Sequence, residues 1–185
     1  MQGTSPKKPH VVVIGGGAIG CCITYYLTQK QAQVTLIEKC SIACGASGKS
    51  GGFLAADWND SSPLGSITRK SFELHVQLSQ TLGVDYNFRK VNTLSVAARE
   101  KDIISATANN NNNNNNQQQQ AKKPQSNAPE ASMNWLDAPL LGVNVIGTTQ
   151  STAQLNPEKF VHALADVSSM RGAVIKLGSA VVGLI

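Results

Sequence analysis

No apolar run in the 185 residues comes near the roughly 20 needed to cross a bilayer as a helix. The first apolar stretch, VVVIGGGAIGCC, is broken by glycines and carries no signal-peptide cleavage pattern. The chain therefore reads as soluble and unsecreted, with a cytoplasmic location expected and an organelle or endosomal association left open. Cysteine is scarce too. Cys21, Cys22, Cys40 and Cys44 are too few and too clustered for a disulfide framework, and Cys40-x-x-x-Cys44 lacks the second ligand pair of a structural zinc site. Reduced, mostly buried thiols and no metal are the expectation. Charge is sparse as well, at 15% of residues with a formal net of +5. Lys and Arg fall singly or in pairs such as Arg69-Lys70 and Arg89-Lys90, which makes no stripe for nucleic acid. Scattered surface cations explain the excess, and an anionic cofactor is compatible with it.

What is present suffices for a core, since 41% of the residues are hydrophobic. HVVVI (10–14) is a β-branched run of the kind buried in a parallel sheet, and glycines follow at once. AIGCCITYYLTQK (18–30) then places Ile19, Ile23, Tyr26 and Leu27 at helical spacing, and QVTLIE (33–38) is a second strand. Strand, glycine turn, helix, strand is a βαβ unit. The expected class is therefore α/β, an incomplete Rossmann-like dinucleotide-binding fold with a second α+β lobe, and HVVVI is expected to lie centrally in its sheet.

After Asp57 the character changes. Ile67, Leu74, Leu78 and Leu82 share a helical face, with Ser62 expected as N-cap ahead of Pro63 and Gly83 as terminator. YNFRKVNTLSVAA reads as a bent strand or a strand pair, and KDIISATA as the start of a helix. The Asn/Gln tract and its flank, 106–132, are too polar to bury anything and read as a disordered insertion. In QLNPEKFVHALADVSSMRG, Asn156 caps a helix with Pro157 at its first position, Phe160, Leu164 and Val167 form its buried stripe, and Gly172 closes it. AVIKLGSAVVGLI follows as strand, glycine turn and strand. These breaks divide the chain into 9–57 and 151–185 for the dinucleotide-binding part, 58–105 and 133–150 for the second lobe, and 106–132 between.

Gly15, Gly17 and Gly20 spell G-x-G-x-x-G between the first strand and the helix. Gly15 permits the turn, Gly17 lets a pyrophosphate approach the backbone, and Gly20 lets helix and strand pack closely. Glu38 stands at the end of the second strand, where a carboxylate accepts hydrogen bonds from adenosine ribose hydroxyls. An acid there disfavours a 2′-phosphate, so FAD or NAD is preferred to NADP. A second glycine- and serine-rich segment, ACGASGKS (43–50), approaches the triphosphate-loop pattern, with Ala43 where its first glycine should stand. It neither leaves a strand directly nor runs into a helix, and no later strand ends in an aspartate for magnesium. A loop of small residues suits instead a dinucleotide with a large isoalloxazine end, whose pyrophosphate and flavin the backbone can lie against.

VVVIGGGAIG, VTLIEK and GASGKSGGFLA together resemble the start of the D-amino-acid-oxidase-type FAD-dependent oxidoreductases, which include glycine oxidase and sarcosine oxidase. GASGKSGGFLAADW with SFELHVQLSQTL is most similar to a branch found in fungi and plants, and QLNPEKFVHALADVSSMRGAVIKLGSAVVGLI resembles the family's adenine-contacting segment. The resemblance implies FAD as cofactor, with Ala18 and Ile19 lining the pyrophosphate turn and Glu38 and Lys39 flanking the adenosine. It also implies Ala46 and Ser47 at phosphate, Gly51, Gly52 and Phe53 near the flavin, and Val181 at the adenine. Lys49 reads equally as a phosphate partner or a solvated lysine. The implied reaction is hydride transfer from a small amine or amino acid to flavin N5. No residue is assigned as catalytic, because His75 and His162 both read as ordinary helix histidines. The resemblance covers the N-terminal part of such an enzyme, and the competing reading is a catalytically inactive nucleotide-binding or interaction module.

Overall fold

The computed structural model describes residues 8–98, 125–126 and 140–183. In chain order its elements are β1 (His10–Ile14), α1 (Ala18–Gln29), β2 (Gln33–Ile37), a 3-10 turn (Ala46–Gly48), β3 (Phe53–Ala55), α2 (Gly65–Thr81), β4 (Arg89–Lys90) and β5 (Thr93–Ala98). These are followed by β6 (Gln125–Ser126), β7 (Leu140–Gly147), β8 (Thr152–Gln154), α3 (Pro157–Met170) and β9 (Val174–Lys176). The chain forms two compact units, Met1–Arg89 with Gln154–Ile185, and Lys90–Ala153. Helix α2, expected to open the second lobe, lies within the first of them.

In the first unit β1 and β2 pair in parallel over five residues, Val13 opposite Leu36, and α1 connects them as the βαβ pattern requires. β2 also pairs in parallel with β9, so the order is β1-β2-β9. The expectation that HVVVI lies centrally is corrected: β2 is the central strand and β1 the edge. Among the described residues no strand covers the other side of β1, and its residues Val12 and Ile14 are 51% and 60% exposed.

Gly20 sets the rotation of α1. A β-carbon there would lie 1.9 Å from the Gly15 carbonyl oxygen, so the helix rests directly on the turn. That contact directs Cys21, Thr24, Tyr25 and Thr28 inward, where Cys21 and Tyr25 join Phe160, Val161 and Leu164 of α3 in the core. The Ile19 and Ile23 side of the helical stripe is left exposed beside β1. Helix α3 follows its sequence signals. Asn156 Oδ1 accepts from Lys159 N–H at 3.0 Å, Pro157 opens the helix, Phe160, Leu164 and Val167 are buried, and Gly172 at φ +95 follows its end.

Two local expectations are revised. Ser62 does not cap α2; its Oγ accepts from Leu64 N–H at 3.2 Å in the preceding turn, and the helix begins at Gly65 after an N-cap Leu64 without a side-chain cap. Ile67 is exposed, whereas Phe72, Leu78 and Leu82 are buried. After Gly178 the described backbone forms no second strand, because Gly178 N–H and Ser179 N–H donate to the carbonyls of Cys40 and Glu38 instead.

In the second unit β5 runs antiparallel to β7, with irregular register between Thr93 and Leu94 and between Ala97 and Ala98, and β6 lies parallel on the other side of β7. Val143 of β7 is fully buried. KDIISATA and all of 106–132 except Gln125–Ser126 fall outside the described residues.

Candidate functional site

The turn after β1 is shaped by its glycines. Gly15 adopts φ +106, a region side chains resist, while its N–H donates to Ile37 O at 2.8 Å and ties the turn to β2. Gly17 precedes α1 in extended conformation, and a β-carbon on it would stand 2.9 Å from Ser47 Oγ. The turn is therefore a cradle that side chains would fill, set at the partially positive end of a helix.

Glu38 leaves β2 pointing back at this cradle. It is 8% exposed, its Oε2 accepts from Gly16 N–H at 2.6 Å and its Oε1 from Cys40 N–H at 2.8 Å. The Gly16 bond first, then the Cys40 bond and the charge of Lys39, hold the carboxyl below its ordinary range. An ionised carboxylate beside a glycine turn is an acceptor for hydroxyl pairs. The thiols near it respond in the opposite sense: burial, Cys22 and Glu38 push Cys21 up to about 12, and the Cys44 thiol raises Cys40.

The segment ACGASGKS is no strand-to-helix loop. It forms turns and one 3-10 turn, with Lys49 exposed. Its packing against the first turn is specific: Ala43 N–H donates to Gly16 O at 3.0 Å, and Ser47 Oγ accepts from Ala18 N–H at 2.9 Å. Having accepted from Ala18, the Ser47 hydroxyl retains its own proton to donate to an anion.

Two clefts meet this region. One of ≈ 470 Å³ runs along the open edge of β1 and is lined by Gly15, Gly17, Ala18, Ile19, Gly20 and Ser47 among others. The other, ≈ 570 Å³ and mostly apolar, brings Ala18, Ile19, Ala46 and Ser47 together with Gly51, Gly52 and Phe53. Gly52, at φ +66, has Leu155 O only 2.1 Å from where a β-carbon would be. Lys39 lines neither cleft. Val181 lines neither either; it is 39% exposed and lies two residues beyond Ser179, whose N–H donates to Glu38 O at 2.9 Å.

His75, passed over in the sequence, is part of the wall of the second cleft, with its ring 4.9 Å from that of Phe160. Its Nδ1 is buried without a hydrogen-bond partner, and burial lowers its pKa, so the imidazole is neutral at physiological pH. The signal was in the spacing, since Phe72, His75 and Leu78 recur every three residues on a buried face. His162, on the other helix, is exposed.

A family model described as FAD dependent oxidoreductase (DAO) matches residues 10–185, and the chain belongs to that family. The Schizosaccharomyces pombe protein C1F5.03c is 30% identical over 185 residues, covering 91% of this chain and 42% of that protein. Saccharomyces cerevisiae TDA3 is 42% identical over 102 residues, covering 51% of this chain and 19% of that protein. The chain thus spans less than half the length of either relative. The crystal structure of glycine oxidase from Bacillus cereus ATCC 14579 superposes with a TM-score of 0.70 at 22% identity, covering 97% of this chain and 50% of that one, a likeness of fold. Among the described residues no helix is long and apolar enough to cross a membrane.

Proposed function

We propose that this FAD dependent oxidoreductase chain forms the adenosine- and pyrophosphate-binding part of a flavin site, in a protein that oxidises a small amine or amino acid. One observation carries the reading: the ionised Glu38 carboxylate is bonded to Gly16 of the glycine turn at 2.6 Å, within the same small region where Ser47 Oγ meets the first N–H of α1 at 2.9 Å. In this reading the ribose acceptor, the phosphate cradle and the second loop are tied together by these two bonds.

When bound, FAD supplies the hydride acceptor, flavin N5, for the carbon beside an amine nitrogen, giving an imine that water can hydrolyse. The chain's own residues bind and orient. Glu38 accepts from the ribose hydroxyls, with Lys39 beside it and the segment bearing Val181 toward the adenine. Gly15 and Gly17 admit the pyrophosphate to the backbone of Ala18 and Ile19, Gly20 lets the helix rest close on that turn, and Ala46 and Ser47 offer donors to the pyrophosphate. Gly51, Gly52 and Phe53 form the small and apolar wall along which the flavin lies, and neutral His75 joins Ser47 in the lining of this mostly apolar cleft. The amine or amino-acid class is supported by the glycine oxidase of Geobacillus kaustophilus, to which this chain is 30% identical over 98 residues.

Equilibrium dialysis of the chain against FAD, AMP and FMN tests the cofactor part. FAD and AMP compete for one site, FMN does not displace AMP, and Glu38→Ala weakens both FAD and AMP by at least about 10-fold, as expected for loss of charge-assisted hydrogen bonds. Unchanged affinity in Glu38→Ala, or displacement of AMP by FMN, would refute it. The substrate class is tested on the full-length protein with a panel of amines and 2-hydroxy acids under oxygen-uptake assay; turnover of the hydroxy acids alone would exclude amine oxidation.

A further inference from the structure

Glu38 faces a second group besides the glycine turn. The chain directly after it doubles back through Cys40 and Cys44, so that one carboxylate oxygen and both Sγ atoms all lie within 4.8 Å of one another. Cys44 Sγ donates to Glu38 Oε1 at 3.9 Å, and Cys40 Sγ lies within 4.8 Å of both atoms. Both cysteines are reduced and exposed. We propose that Glu38, Cys40 and Cys44 form a three-ligand site for a thiophilic divalent cation of the zinc class, with water as the fourth ligand.

Two thiolates and a carboxylate are a donor set that zinc takes tetrahedrally, at about 2.3 Å to sulfur and about 2.0–2.2 Å to oxygen, which places ligand atoms about 3.3–3.8 Å apart. The three atoms therefore need to close by no more than about 1–1.5 Å to reach that geometry. The carboxylate is already oriented by the N–H groups of Gly16 and Cys40, the kind of support that fixes a ligand before the metal arrives. On binding, two S–H bonds give their protons to solvent and two metal–sulfur bonds form, with no change of oxidation state. The spacing Cys40-x-x-x-Cys44 alone is two ligands; the third comes from the end of β2. A peroxide-driven disulfide is the competing use of the pair. The adjacent carboxylate charge opposes the thiolate which that reaction needs, whereas a cation brings its own compensation. Since Glu38 is also the acceptor assigned to the ribose, cation and adenosine compete for it, a consequence that rests on the proposed flavin site.

The test uses the tag-free, reduced chain, titrated with Co2+ and with Zn2+. One Co2+ binds per chain with a thiolate-to-cobalt charge-transfer band, Zn2+ bleaches it, and Cys40→Ser or Cys44→Ser each weakens Co2+ binding at least about 10-fold and diminishes the band. Cys22→Ser, outside the cluster, leaves the titration unchanged. Far-UV circular dichroism verifies that each variant is folded, and the exposed Cys40 and Cys44 positions tolerate serine. The proposal is overturned if no charge-transfer band develops, if the band survives both serine variants, or if peroxide links Cys40 to Cys44 in a chain that takes up no metal. A separate arm adds AMP: reduced Co2+ affinity supports a Glu38 shared with the ribose, whereas unchanged affinity with intact metal binding counts against the flavin assignment of Glu38 and leaves the metal site standing.

Discussion

The Glu38 carboxylate and the Gly16 N–H, 22 positions apart in sequence, meet at 2.6 Å and join the end of β2 to the turn after β1. This bond makes a carboxylate suited to a ligand also a member of the fold. Glu38→Gln keeps one acceptor but loses the charge, and we expect a stability loss of about 1.5–3 kcal/mol at neutral pH. The folded pKa lies below the unfolded one, so this contribution is complete above pH ~4.3 and is lost as the pH falls through the folded value. Urea midpoints of the two proteins should therefore differ at pH 7 and converge in acid; parallel curves down to acid pH would contradict the assignment.

His75 has the same sign with a different cause. Burial depresses its pKa, so its neutral form favours the folded state fully above pH ~6.5, and stability declines as the pH drops from there toward the folded value. His75→Leu should flatten the urea-midpoint profile below pH 6.5 while leaving the plateau above it near the wild type or higher, since it also removes the unpartnered Nδ1. An unchanged slope would place the relevant titration elsewhere.

Gly20→Ala forces a β-carbon to 1.9 Å from the Gly15 carbonyl, and the helix must move off the turn. We expect a loss of at least about 1–3 kcal/mol. Gly45→Ala meets nothing within 4 Å at a negative φ and should change stability by no more than about 0.5 kcal/mol. Thermal midpoints measured side by side decide this, and equal shifts would mean that the close approach at Gly20 is not rigid.

Gly17→Val differs from both, because Gly17 has extended φ and ψ that valine adopts readily while its β-carbon would stand 2.9 Å from Ser47 Oγ. The chain should fold, yet its FAD affinity should fall by two orders of magnitude or more, with Gly17→Ala intermediate, as the cradle fills. Dialysis against FAD reads the effect, and Kd values that do not rank Gly, Ala, Val would show that the pyrophosphate does not lie there.

The elements that local chemistry controls were legible without coordinates. β-branched runs at 10–14 and 33–38, the second forming a strand as far as Ile37, a G-x-G-x-x-G turn between strand and helix, and an Asn156-Pro157 helix start each depend on neighbouring residues alone. What depended on distant partners did not follow from periodicity. Ile19 and Ile23 have helical spacing equal to that of Cys21 and Tyr25, and only the Gly20 contact and the position of α3 decide which pair is buried. Ser62 had the chemistry of an N-cap but is engaged one turn too early, and His75 looked ordinary until Phe160 and the 51–54 segment were brought around it. The same holds for Glu38. Its place at the end of β2 is a matter of sequence, but its bonds to Gly16 and its nearness to both thiols exist because a parallel pairing of β1 and β2 carries the two strand ends, and the loops that leave them, to one edge of the sheet.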